Sequence, residues 1–204
     1  MLYLNFALYE LSLLYMPKIV LFASGSGSNV ENIIRYFQES PSIEVAFVFT
    51  NKQEAGVLER CKRLGVPAAY LNKAALDSPA FLEMLKNLNP NLIVLAGFLQ
   101  KIKADWVTAF AGRIINIHPA MLPNYGGKGM YGMNVHEAVI QAREKESGIS
   151  IHYVNEHYDQ GALIAQYTVS VDPQDTPEQL AQKVQALEHQ YFPMEIEKLL
   201  HDAD

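Results

Sequence analysis

The sequence holds a single cysteine, Cys61, in 204 residues. No internal disulfide can form, and a reducing, cytoplasmic setting is expected. There is no Cys-x-x-Cys pair. The one opening of a His-Glu-x-x-His zinc motif, His136-Glu137, meets Ile140 where the second histidine belongs. Basic residues form no block: 16 of them stand against 22 acidic ones, for a formal net charge of −6. That balance argues against a nucleic-acid partner. The apolar stretch 1–15 has no Lys or Arg and no small-residue cleavage site, and it is too short to cross a bilayer. Neither a secretory signal nor a membrane partner is expected from it. We read 1–15 as an atypical extension ahead of a functional start at Met16, and 16–204 as a single domain without repeats or linkers.

What is present is an alternation of apolar runs and helical periodicity. Lys18 to Ala23 reads as a buried strand, followed by Ser24-Gly25-Ser26-Gly27-Ser28-Asn29, after which Val30, Ile33, Ile34 and Phe37 recur at helical spacing. Further strands are expected at Ile43–Phe49, Pro67–Leu71, Leu92–Ala96 and Ile114–His118. Helices are expected at 54–64 (ending at Gly65), 79–88 and 104–111. Continuously apolar strands alternating with helices predict a Rossmann-like α/β fold, a mostly parallel sheet with helices on both faces. The second half differs. A loop at 119–133 rich in glycine precedes a helix near 135–145, then strands at Gly148–Val154 and Ala162–Val171 flank a turn at Tyr158-Asp159-Gln160-Gly161. These predict an antiparallel addition. Thr176-Pro177-Glu178-Gln179 starts a last helix, expected to break or kink at Pro193.

Several residues suggest chemistry. Asn116 and His118 lie two apart at a strand end and so share a face, an arrangement that suits a developing oxyanion or simply caps a loop. The glycine loop between strand and helix offers main-chain amides to an anion. It lacks the third glycine of the dinucleotide fingerprint, the acid that would hold a ribose at the end of the second strand, and the Walker lysine. A monophosphate fits it better than NAD or ATP, unless it is merely a tight turn. Asp159 is either a turn residue or an acid that reaches His118, raising the imidazole pKa and keeping it charged. His152, His157 and Asp159 match no strong zinc spacing. His136 reads as a cap or loop-packing residue. Gln185 and Glu188 share a helix face, whether solvated or turned to a ribose diol.

Gly25-x-Gly27-Ser28-Asn29, Leu95-Ala96-Gly97-Phe98, Asn116-Ile117-His118-Pro119-x-x-Leu122-Pro123, Tyr158-Asp159-x-Gly161 and Gln185-x-x-Glu188-His189 occur in that order over roughly residues 17–199. Together they resemble the phosphoribosylglycinamide formyltransferases. The resemblance implies the formyltransferase fold, and transfer of a formyl group from 10-formyltetrahydrofolate, a co-substrate, to the amine of glycinamide ribonucleotide. It implies that Asn116 and protonated His118 hold the oxyanion while Asp159 charges or orients His118 and helps remove the amine proton. Gly27, Ser28 and Asn29 would take the phosphate by main chain, with Pro119, Gln185 and Glu188 also on the ribonucleotide. Leu99, Gln100, Ile102, Asn155 and His157 would border the pterin. No metal is implied. The sequence departs from the pattern in two places: Gln100 stands where an arginine is expected, and the 126–132 loop is longer than usual. Related formyl-folate enzymes would carry further domains, C-terminal in the methionyl-tRNA enzyme and N-terminal in the formyltetrahydrofolate hydrolase.

Overall fold

A computed structural model describes residues 16–201. The expected extension 1–15 and the last residues of the expected domain, 202–204, lie outside the described residues. The first strand, β1 (Lys18–Phe22), has Ile19, Val20, Leu21 and Phe22 without exposed surface. That is the pattern of a strand covered on both faces. It is followed by α1 (Ser28–Glu39), β2 (Glu44–Thr50), α2 (Val57–Leu64), β3 (Ala68–Tyr70), α3 (Lys73–Leu76), α4 (Pro79–Leu88) and β4 (Leu92–Leu95). Then come α5 (Ala104–Ala109), β5 (Ile114–His118), α6 (Met133–Gln141), β6 (Glu146–Tyr153), β7 (Leu163–Ser170) and α7 (Pro177–His201).

The strands form one sheet in the order β3-β2-β1-β4-β5-β6-β7. Pairings from β3 through β5 are parallel, and β6 and β7 add antiparallel. This is the expected fold class. Alternating side chains feed two cores. Ile19 and Leu21 pack with Val30 and Ile33 of α1 and Val184 and Phe192 of α7. Val20 and Phe22 pack on the other face with Phe81 and Leu85 of α4 and Trp106 of α5. Among the described residues no helix is long and apolar enough to cross a membrane.

Three local expectations are corrected. The last helix does not break at Pro193 but runs on to His201. Proline removes the N–H that would bond the carbonyl four residues earlier, and that carbonyl, of His189, instead accepts from Asn32 Nδ2 at 2.7 Å. The helix near 135–145 stops at Gln141, because Arg143 takes a left-handed φ of 54° and turns the chain into β6, whose start lies at Glu146 rather than Gly148. The short α3 was not expected; Asn72 caps it by accepting from Ala75 N–H.

Strand order reverses between β1 and β4. In open α/β sheets the crevice beyond the carboxyl ends of the strands at such a point receives the ligand. The glycine loop leaves β1 there and Gly97 leaves β4, joined by Ser24 N–H to the Gly97 carbonyl at 3.0 Å.

Candidate active site

A cleft of about 570 Å³ opens at that reversal. The glycine loop forms one end. Gly27 has a φ of 78°, and an added Cβ would stand 2.5 Å from Val57 Cγ2, so only glycine fits this turn. Gly27 precedes α1 directly, and the first-turn amides of Ser28 and Asn29 have no helical acceptor. Both residues line the cleft, with the positive end of the helix dipole at their amides. The late helix closes this end: Asn29 Nδ2 donates to Glu188 Oε2 at 2.9 Å, and Gln185 Nε2 donates to Ser28 Oγ at 3.1 Å. Burial raises the Glu188 carboxyl above its ordinary pKa, and the Asn29 bond offsets part of that. Glu188 is therefore no solvated surface residue, whereas Gln185 is exposed.

The opposite end is assembled from β5, β6 and two loops. Asn116 lies across the sheet from His152, and their side chains meet at 3.1 Å. His152 Nδ1 donates to the Tyr153 carbonyl at 2.8 Å, which turns Nε2 toward the Asn116 amide. A second N–H of Asn116 is left for a ligand. His118 Nε2 donates to the Tyr125 carbonyl at 2.8 Å, which points Nδ1 toward Asp159 Oδ2 at 3.7 Å. Asp159 Oδ1 lies 3.7 Å from His152 Nε2. Asp159 takes a left-handed φ of 55°, and its Oδ2 accepts from Gly127 N–H at 2.8 Å, 32 residues away. Its carboxylate thus serves the cleft rather than its own turn.

The electrostatics differ from the expectation in one respect. Burial lowers the His118 pKa more than the Asp159 carboxylate raises it, so the free imidazole is neutral near pH 7 rather than charged. Burial pushes the Asp159 carboxyl up, but His152, the Gly127 amide and His118 nearby outweigh it and hold the pKa below normal. The site therefore stores a carboxylate beside an uncharged imidazole whose free Nδ1 can take a proton.

Residues expected near the pterin line a neighbouring cavity of about 70 Å³: Gln100 and Ile102 on one side, Asn155 and His157 on the other. Asn116, His152 and Asp159 form its inner wall. Leu99 instead lines the main cleft and an outer groove of about 860 Å³, and its amide donates to Ser24 Oγ at 2.9 Å. Gln100, at the expected arginine position, donates to Asp77 Oδ1 at 3.1 Å. Pro119 lines the main cleft. Among the described residues no group of three His, Cys, Asp or Glu side chains gathers to hold a metal, so His157 does not join His152 and Asp159 in one.

Two residues escaped the sequence reading. His152 was weighed only as a zinc ligand, and its place opposite Asn116 needs the β5–β6 register. His136, 5% exposed, lies in the first turn of α6 and lines the cleft with Nδ1 unpartnered.

A doubly wound sheet, an anion loop at its switch point and an Asn-His-Asp cluster beside it define an acyl-transfer type of site. The family described as Formyl transferase matches residues 17–196. The chain belongs to that family and, within it, to the phosphoribosylglycinamide formyltransferases. It is 37% identical over 192 residues to the Bacillus subtilis phosphoribosylglycinamide formyltransferase, covering 91% of this chain and 95% of that one. It is 39% identical over 182 residues to the chloroplastic protein of that name from Arabidopsis thaliana, covering 86% of this chain. The chain spans only 62% of that plant relative's length. The crystal structure of phosphoribosylglycinamide formyltransferase from Bacillus halodurans superposes with a TM-score of 0.82 at 37% identity, over 92% of this chain and 97% of that one.

Proposed function

We propose that the chain transfers the formyl group of 10-formyltetrahydrofolate to the amine of glycinamide ribonucleotide, in purine biosynthesis. The products are formylglycinamide ribonucleotide and tetrahydrofolate. The observation that carries the reading is convergence: the Asn116–His118 pair and Asp159, far apart in sequence from each other and from the glycine loop, line one cleft with it.

In this reading the amides of Gly27, Ser28 and Asn29 take the phosphate, and Glu188 takes the ribose hydroxyls with Gln185 beside it. The pterin enters between 99–102 and 155–159, and Pro119 borders the reacting end. The amine attacks the formyl carbon, and the carbonyl electrons move onto oxygen. The free N–H of Asn116 holds that oxyanion. His118 Nδ1 collects the proton shed by the amine, directly or through water, and the resulting imidazolium is steadied by Asp159. Its Nδ1–H then donates a hydrogen bond to the oxyanion as a second partner. Collapse breaks the bond from carbon to the folate nitrogen, which takes the proton from His118, directly or through water, and leaves as tetrahydrofolate. No side-chain nucleophile is needed, because the acceptor is itself an amine. The cytoplasm is the proposed setting, supported by the lone buried thiol of Cys61.

The test is formyl transfer measured with glycinamide ribonucleotide and then with water as sole acceptor. Transfer to the amine alone is expected. Formate release without the amine would move the reading to a hydrolase, and tight binding without turnover to a binding module.

A further inference from the structure

The carbonyls of an anion loop must point away from the anion if its amides are to point toward it. Two carbonyls of this loop are drawn backward by α2. The Gly25 carbonyl accepts from Val57 N–H at 3.3 Å, and the Ser26 carbonyl accepts from Arg60 Nε at 2.8 Å. The second bond is the only one of the pair made by a side chain, so mutation can remove it. Arg60 is itself fixed: its other guanidinium nitrogen bonds Glu31 Oε2. Glu31 lies in the first turn of α1, the helix whose N-terminus the loop feeds. Arg35 and Arg63 bind the same carboxylate, each at 2.9 Å. The arginines, Arg60 foremost, hold the Glu31 carboxyl down at about 2, so it is ionised at neutral pH.

We infer that Arg60 is a positioning residue for phosphate recognition, clamping the Ser26 carbonyl to α2 so that the amides of Gly27, Ser28 and Asn29 stay turned into the cleft. This inference rests on the proposed role of the loop as phosphate cradle. Arg60 does not line the cleft. Its loss leaves the His118 end intact while the cradle loses its fixed geometry and a nearby positive charge. Arg63 supplies the control, because it shares Glu31 with Arg60 but makes no bond to the loop.

Inorganic phosphate is titrated calorimetrically into wild type, Arg60→Ala, Arg60→Lys and Arg63→Ala, and steady-state kinetics are run on each. Loss of a charge-assisted bond should weaken phosphate and raise KM for glycinamide ribonucleotide about tenfold in Arg60→Ala. In that variant kcat and KM for formyl-folate stay within about twofold of wild type. Arg60→Lys recovers part of the loss, and provides the same split should the alanine variant not fold. Arg63→Ala stays near wild type. Unchanged phosphate affinity in Arg60→Ala, or an equal loss in Arg63→Ala, overturns the clamp. Wild type that binds no phosphate in competition with the ribonucleotide overturns the cradle itself, and the clamp with it.

Discussion

The two ends of the cleft solve their problem with different materials. At the end proposed to hold the phosphate, the work would fall to main-chain amides, backed by Asn29 and the half-buried Glu188. At the end proposed to hold the formyl group it would fall to side chains sunk in the protein, with His118 and His152 at 3% and 2% exposure. Amides are present whatever the side chain, so the first end needs only a glycine-shaped turn at a helix start. The second end needs particular groups brought from four places: β5, β6, the turn at Asp159 and the loop at Gly127. Burial then becomes a tool there. It lowers the His118 pKa enough to leave Nδ1 able to accept a proton, while amide and imidazole contacts keep Asp159 ionised. The formyl end should therefore control turnover, and the phosphate end affinity.

That division can be broken by mutation. His118→Ala and Asp159→Ala are each expected to lower kcat by about 10²–10³ with little change in the ribonucleotide KM. Near-native turnover in either variant, under steady-state assay, would refute the roles given to them. Glu188→Ala should do the reverse, raising the ribonucleotide KM about tenfold while kcat holds. A fall in kcat without a KM change would mean that the two ends are not separable.

Burial of histidines also leaves a signature in stability. His118, His136 and His189 all have pKa values below the ordinary 6.5, with burial as the leading cause in each. A folded pKa below the unfolded one means that the unfolded chain takes up protons first, so stability is complete above 6.5 and is lost as pH falls below it. Thermal melts should drop by about 5 °C between about pH 7.5 and about pH 5.5. His118→Asn should flatten part of that slope; an unchanged slope would show that His118 does not carry this charge penalty. The smallest effect belongs to Gln185→Ala, whose bond to Ser28 Oγ is exposed. It should raise the ribonucleotide KM by about twofold.

The same contrast explains what could be read in advance. The glycine loop, the helix start behind it and the buried β1 were legible because each depends on neighbours in sequence: period, turn chemistry and capping. Asn116 and His118 were legible as a pair because alternate residues on a strand share a face. Asp159 was not decided locally, since a turn aspartate is ordinary, and its positive φ and bond to Gly127 appear only in three dimensions. The place of His152 opposite Asn116 needs strand register, and the helix runs on through Pro193, where Asn32 reaches the abandoned carbonyl from another helix.

By itself, then, the sequence determined the alternating α/β order, the anion turn after β1 and the polar pair closing β5, because these follow from short-range periodicity and backbone sterics. Tertiary structure alone decided that Asp159, His152 and His118 face one another, that the imidazole is neutral, and that Arg60 holds the back of the loop. Those outcomes depend on strand register, desolvation and packing between segments far apart in the chain, which no local pattern encodes.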